Sequence, residues 1–204
     1  MPVTDSNALS GSDDPSRTGT KQPDQPSRRR RRVVTEWLII VLVAVVASLL
    51  VRTFVFQTFY IPSGSMTPTL LVGDRIIVDK LSVDFGTINI GDIVVFKAPP
   101  EVKLECSDAV TDLVKRVIGL PGDRLTSKGN TIYVNGNALK ENWPHSEPLV
   151  TQIGNVTVPA GQYFMMGDDH PHSCDSRTWG TVPRADIIGK AFMEFWPLSR
   201  FKWI

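Results

Sequence analysis

Residues 37–51 form an uncharged apolar run broken only by Ser48, and five consecutive arginines, Arg28, Arg29, Arg30, Arg31 and Arg32, stand shortly before it. Extended to residues 33–56, the segment carries charge only at Glu36 near its start and Arg52 near its end. A helix of that length reaches about 36 Å at about 1.5 Å per residue. The hydrocarbon core of a bilayer is about 30 Å thick, and Arg52 can snorkel to the headgroups. One transmembrane helix over residues 33–56 is therefore expected, with the arginine run holding the N-terminus in the cytoplasm. A buried core helix would lack those flanking arginines. A cleaved leader would end in small residues, whereas here Arg52-Thr-Phe-Val-Phe-Gln-Thr-Phe-Tyr60 follows.

The anchor divides the chain in three. Residues 1–32 carry seven basic and four acidic side chains, and 1–27 are rich in Ser, Asp, Pro, Thr and Gly. That composition predicts a disordered cytoplasmic tail. Residues 33–204 carry fifteen basic and seventeen acidic groups, so no nucleic-acid partner is expected. Two cysteines cannot build a disulfide-rich scaffold or a four-cysteine zinc site. No His/Asp/Glu set has the spacing of metal ligands. Neither a cofactor nor a metal is expected.

The body reads as mainly β. Its apolar runs are short and β-branched, as in Arg75-Ile-Ile-Val78, Ile93-Val-Val-Phe96, Thr131-Ile-Tyr-Val134, Asn155-Val-Thr-Val158 and Ile187–Trp196. Gly, Pro and Asp punctuate them. Asn135-Gly136 predicts a tight hairpin between the strands on either side, because both turn positions accept positive φ. Lys128-Gly-Asn130 closes another. No second long helix and no repeat is seen.

One loop invites chemistry. In Ile61-Pro-Ser-Gly-Ser-Met-Thr-Pro-Thr-Leu70, Ser63 and Ser65 flank Gly64 between two prolines. Such a loop can present a serine nucleophile and aim backbone N–H groups at an oxyanion; it can equally be a linker. A serine needs a base. His170 and His172 lie in the polar run Gly167-Asp-Asp-His-Pro-His-Ser-Cys-Asp-Ser-Arg177. The other option is Lys115, placed between Leu113-Val114 and Val117-Ile118. A lysine works as a base at neutral pH only if its neutral form is favoured. Lowering its pKa from about 10.4 to about 8 needs roughly 3 kcal/mol of differential desolvation.

Taken together, three segments resemble the signature boxes of bacterial type I signal peptidases. They are Ser63-Gly-Ser-Met-x-Pro68, Lys115-Arg-Val-Ile-Gly-Leu-Pro-Gly-Asp123, and Gly167-Asp168 with Ser173-x-Asp-Ser-Arg177. Gly73-Asp74 and Gly91-Asp-Ile-Val-Val-Phe96 resemble further boxes, in the same order. The resemblance runs from about residue 36 to the C-terminus. It implies two antiparallel β-sheets of the type shared with SOS-repressor proteases, preceded by one N-terminal transmembrane helix. By position it implies Ser65 as nucleophile and Lys115 as general base. The Ser65 N–H and the Ser63 hydroxyl would form the oxyanion hole, and Ser173 would orient the lysine. Asp175 with Arg177, and Arg116 with Asp168, would be supporting ion pairs. Ile61, Pro62, Met66, Leu70 and Val114 would line the pocket for small substrate residues. The sequence departs from the commonest pattern at Asp169-His170, where the family often has Asn-Arg; His170 and His172 are read as loop residues.

If Ser173 touches Lys115, Cys106 and Cys174 fall on one side of the site, and in an oxidising compartment they could pair. The expected enzyme is a membrane-bound serine endopeptidase that removes signal peptides from secreted precursors after Ala-x-Ala. It would sit in a bacterial plasma membrane with its catalytic domain outside, in contact with the lipid bilayer and near the secretion translocon. A pilus-processing Ser/Lys peptidase and an inactive membrane-anchored binding domain remain as alternatives.

Overall fold

The computed structural model describes residues 27–101, 106 and 111–204. The tail expectation for residues 1–26 lies outside them. The chain divides into two units, residues 1–45 and 46–204.

The helix α1 spans Ser27–Phe54. It begins earlier than the expected 33 because arginine is a good helix former, so the whole basic run continues the apolar helix. It ends before Phe56 because the aromatic and β-branched residues Phe56–Tyr60 pair as a strand instead. Arg32–Leu49 is long and apolar enough to cross a membrane, and every residue in it is exposed. A helix apolar on all sides needs an apolar surrounding. That suits a membrane anchor.

The body is built from short strands. They are β1 (Phe56–Tyr60), β2 (Arg75–Asp79), β3 (Ile93–Lys97), β4 (Asp112–Gly119), β5 (Arg124–Lys128), β6 (Thr131–Val134), β7 (Asn137–Ala138), β8 (Val156–Thr157), β9 (Gln162–Met166), β10 (Val182–Pro183), β11 (Ile187–Trp196) and β12 (Lys202–Trp203). Two single-turn helices join them, α2 (Leu81–Asp84) and α3 (Ser176–Trp179). The larger sheet runs β1-β2-β11-β3-β4-β9-β10, with β12 on β11; the smaller runs β7-β6-β5-β8. All the strand pairings are antiparallel. The fold is mainly β with two antiparallel sheets, as the sequence implied.

The pleat of β3 explains how the larger sheet stands between two cores. Ile93 and Val95 join a cluster with Ile61, Met66, Leu70 and Ile76. Val94 and Phe96 point the other way, to Val117, Met165 and Trp179. This is the two-residue period of a strand buried on both faces. The Phe96 and Trp179 rings lie 5.9 Å apart, and burying Phe96 contributes about 1.5–3 kcal/mol. In the smaller sheet, Asn135 (φ 53) and Gly136 (φ 83) make the turn between β6 and β7.

Candidate active site

The loop between β1 and β2 closes on itself. The Ile61 N–H donates to the Asp74 carbonyl at 2.9 Å, and the Gly73 N–H donates to the Ile61 carbonyl at 2.9 Å. The Asp74 carboxylate accepts from the Leu71 N–H at 2.7 Å. Gly73 has φ 98, a conformation that L side chains rarely adopt. Inside the loop, Met66 and Leu70 are buried and joined by a helical-turn bond from the Leu70 N–H to the Met66 carbonyl, 2.9 Å. Two apolar anchors thus pin the turn while Ser65 stays half-buried and Ser63 exposed.

Lys115 stands on β4 opposite Val94. It is buried, and its amine donates to the Ser173 Oγ at 3.1 Å. Leu113 and Val117, its same-face neighbours along the strand, pack in the cluster that includes Cys106 and Cys174. Gly167 brings the serine loop to this place. A Cβ on Gly167 would collide with the Ser173 side chain and with the Ser65 carbonyl oxygen. That carbonyl also accepts from the Asp169 N–H at 3.1 Å. Ser65, Gly167, Ser173 and Lys115 therefore form a continuous chain of contacts.

A cleft of about 450 Å³ opens beside them. Residues 59–63 with Ser65 and Met66 line one part of it, and residues 111–114 with Val95 line the rest. Of the expected pocket residues, Ile61, Pro62, Met66 and Val114 are on this lining. Leu70 is not. It is fully buried, because it faces inward from the turn into the core with Ile76 and Val78. Strand β9 pairs with β4 only from Arg116 onward. The other edge of residues 112–114 therefore has no strand partner among the described residues.

Two buried ion pairs brace the segments. Arg177 grips Asp175 through Nε and Nη2, both at 2.7 Å, and its Nη2 reaches the Ser173 carbonyl at 3.2 Å. Asp175 also accepts from the Gly167 N–H at 3.1 Å. Arg116 grips Asp168 through Nε at 2.8 Å and Nη2 at 2.7 Å, and donates to the Gly91 carbonyl at 2.7 Å. Its guanidinium lies 4.8 Å from the Trp143 ring centre. Each of these two acids is thus held by an arginine.

Cys106 and Cys174 form a disulfide, with Cα atoms 6.0 Å apart. His170 is buried, stacks on His145, and sets its Nε2 3.4 Å from Glu141. His172 is exposed beside Asp169. Among the described residues no group of three or more His, Cys, Asp and Glu is placed to hold a metal ion.

Several supporting residues had no signal in the sequence. Thr69 touches Asp168 and Arg116 through its hydroxyl. Its carbonyl accepts from Lys202 at 2.7 Å. The fully buried Glu194 holds Arg200 at 2.8 Å and Lys202 at 3.2 Å. Burial opposes the charge on Arg200, but the Asp74 and Glu194 carboxylates more than offset it and hold the guanidinium above its ordinary pKa. The partners of Thr69 are far apart in the chain, so only long-range signals would have found them.

The family model described as signal peptidase, peptidase S26, matches residues 34–196. A signal peptidase I from Leptolyngbya laminosa is 40% identical over 192 residues, covering 94% of each chain. One from Bacillus caldolyticus is 38% identical over 195 residues, covering 89% of this chain and 97% of its own. One from Mycobacterium tuberculosis (strain ATCC 25618 / H37Rv) is 36% identical over 230 residues, covering 87% and 78%. With a match that takes in the anchor and nearly all of the β body, the chain belongs to the signal peptidase family, peptidase S26.

Proposed function

We propose that this enzyme removes signal peptides from secreted precursors through a Ser65/Lys115 dyad, cutting after small residues. The observation that carries the reading is the buried Lys115 amine on the Ser173 hydroxyl, beside a cleft lined by Ser63 and Ser65. Taking an ammonium out of water favours the neutral amine. That amine takes the Ser65 Oγ proton as Oγ bonds to the scissile carbonyl carbon. The Ser65 N–H and the Ser63 hydroxyl hold the oxyanion. The Lys115 ammonium then passes its proton to the leaving nitrogen as the C–N bond breaks. Water, deprotonated by Lys115, hydrolyses the remaining ester.

The open edge of residues 112–114 offers backbone groups to an extended substrate. Ile61, Pro62, Met66 and Val114 make an apolar lining suited to alanine. The Asp175–Arg177 and Arg116–Asp168 pairs hold this geometry, and Ser173 orients the amine. The helix α1 anchors the enzyme in a bacterial plasma membrane, with the arginine run cytoplasmic and the β body outside. The secretion translocon is then nearby. Tethering raises the effective concentration of a cleavage site that emerges at the bilayer surface.

The test is cleavage of an Ala-x-Ala precursor in liposomes by the intact protein, Ser65→Ala and Lys115→Met. The intact protein is expected to cut after the second alanine, faster as pH rises and the amine loses its proton. Both variants are expected to be inactive. Continued cutting by either one would remove that residue from the dyad. Cutting of pilin precursors alone would move the enzyme to pilus processing.

A further inference from the structure

Three segments carry the proposed chemistry, and all three meet at one hydroxyl. Thr69 lies in the turn that begins at Ser65, and its side chain is buried. Its O–H donates to the Asp168 carboxylate and accepts from Arg116 Nη2 at 3.3 Å. Arg116 is the strand neighbour of Lys115. Asp168 is the neighbour of Gly167, which abuts both Ser65 and Ser173. The other end of Thr69 is held too, since its carbonyl accepts from Lys202 at 2.7 Å and lies 3.5 Å from Arg200 Nη2.

We infer that the Thr69 hydroxyl is a positioning group for catalysis, fixing the Ser65 turn against the strand of Lys115 and the segment of Ser173. The inference rests on the Ser65/Lys115 reading. The Arg116–Asp168 pair makes its own two hydrogen bonds, so it persists when the hydroxyl is removed. What is lost is the tie between that pair and the serine turn. A shift of about 1 Å between reacting groups costs about 10²-fold in rate. The cleft lining does not include Thr69, so substrate binding is left in place.

The experiment compares Thr69→Val, which keeps the shape and deletes the hydroxyl, with Thr69→Ser, which keeps the hydroxyl. Each is assayed on an Ala-x-Ala precursor in liposomes, with the folded fraction taken from thermal unfolding. Thr69→Val is expected to lower kcat per folded enzyme by about 10- to 100-fold with KM nearly unchanged. Thr69→Ser is expected to retain most of the parent kcat. The inference is overturned if Thr69→Val keeps the parent kcat per folded enzyme, if KM rises while kcat holds, or if Thr69→Ser is as slow as Thr69→Val. Ser65→Ala is run alongside. If it still cuts, the dyad reading fails and takes this inference with it; if it is dead, the Thr69 result stands on its own.

Discussion

The amine of Lys115 and the hydroxyl of Ser173, 58 residues apart, are joined by a 3.1 Å hydrogen bond. The bond orients an otherwise flexible four-carbon side chain. Ser173→Ala should therefore lower kcat by about tenfold or more, with KM little changed. Steady-state kinetics on a precursor, with the parent and the folded variant side by side, decides it. A rise in KM alone would show that Ser173 acts on substrate rather than on the lysine.

Gly167 leaves no room for a methyl group between Ser65 and Ser173. The obstruction on one side is backbone, which cannot swing away as a flexible side chain would. Gly167→Ala should cut activity by about 10²-fold and displace the Ser65 loop. Activity is read against a melting curve, and an alanine variant with parental kcat would contradict the packing described.

The Cys106–Cys174 bridge spans 68 residues of sequence. Removing such a cross-link costs about 2–5 kcal/mol. Cys106→Ser, Cys174→Ser and the double variant should all lose a similar stability in denaturant unfolding, because each breaks the same bond. Clearly additive losses would mean that the two sulfurs act separately.

Arg200 answers to pH in a defined direction. Its folded pKa is raised, with Asp74 and Glu194 outweighing desolvation. Its stabilising contribution is therefore complete below the unfolded value and is lost only as pH rises through the folded one, in strongly alkaline solution. Arg200→Met should destabilise by about 1–3 kcal/mol, since the buried Glu194 then keeps only Lys202. The loss should be the same at pH 7 and pH 9, as measured by urea unfolding.

Much of this was legible because the relevant signals are local. The apolar run around Val43, the Asn135-Gly136 turn and the β-branched strands each announce themselves within a few residues. The helix boundaries did not. Arginine carries helix into the basic run, and strand pairing with β2 claims Phe56. Leu70 was misplaced because an apolar residue near a serine reads equally as pocket or core, and only the direction of the turn decides. Thr69 and Lys202 were missed because a residue's partners 99 or 133 positions away leave no mark on its neighbours.

The place of β11 between β2 and β3 sets an order of events. A ribosome makes the serine loop first and the strand of Lys115 next, yet the strand that joins their two halves of the sheet follows both, with Arg200 and Lys202 later still. Chains fold from the N-terminus as they emerge, and until residues 187–196 arrive the two halves lack the strand that pairs with both.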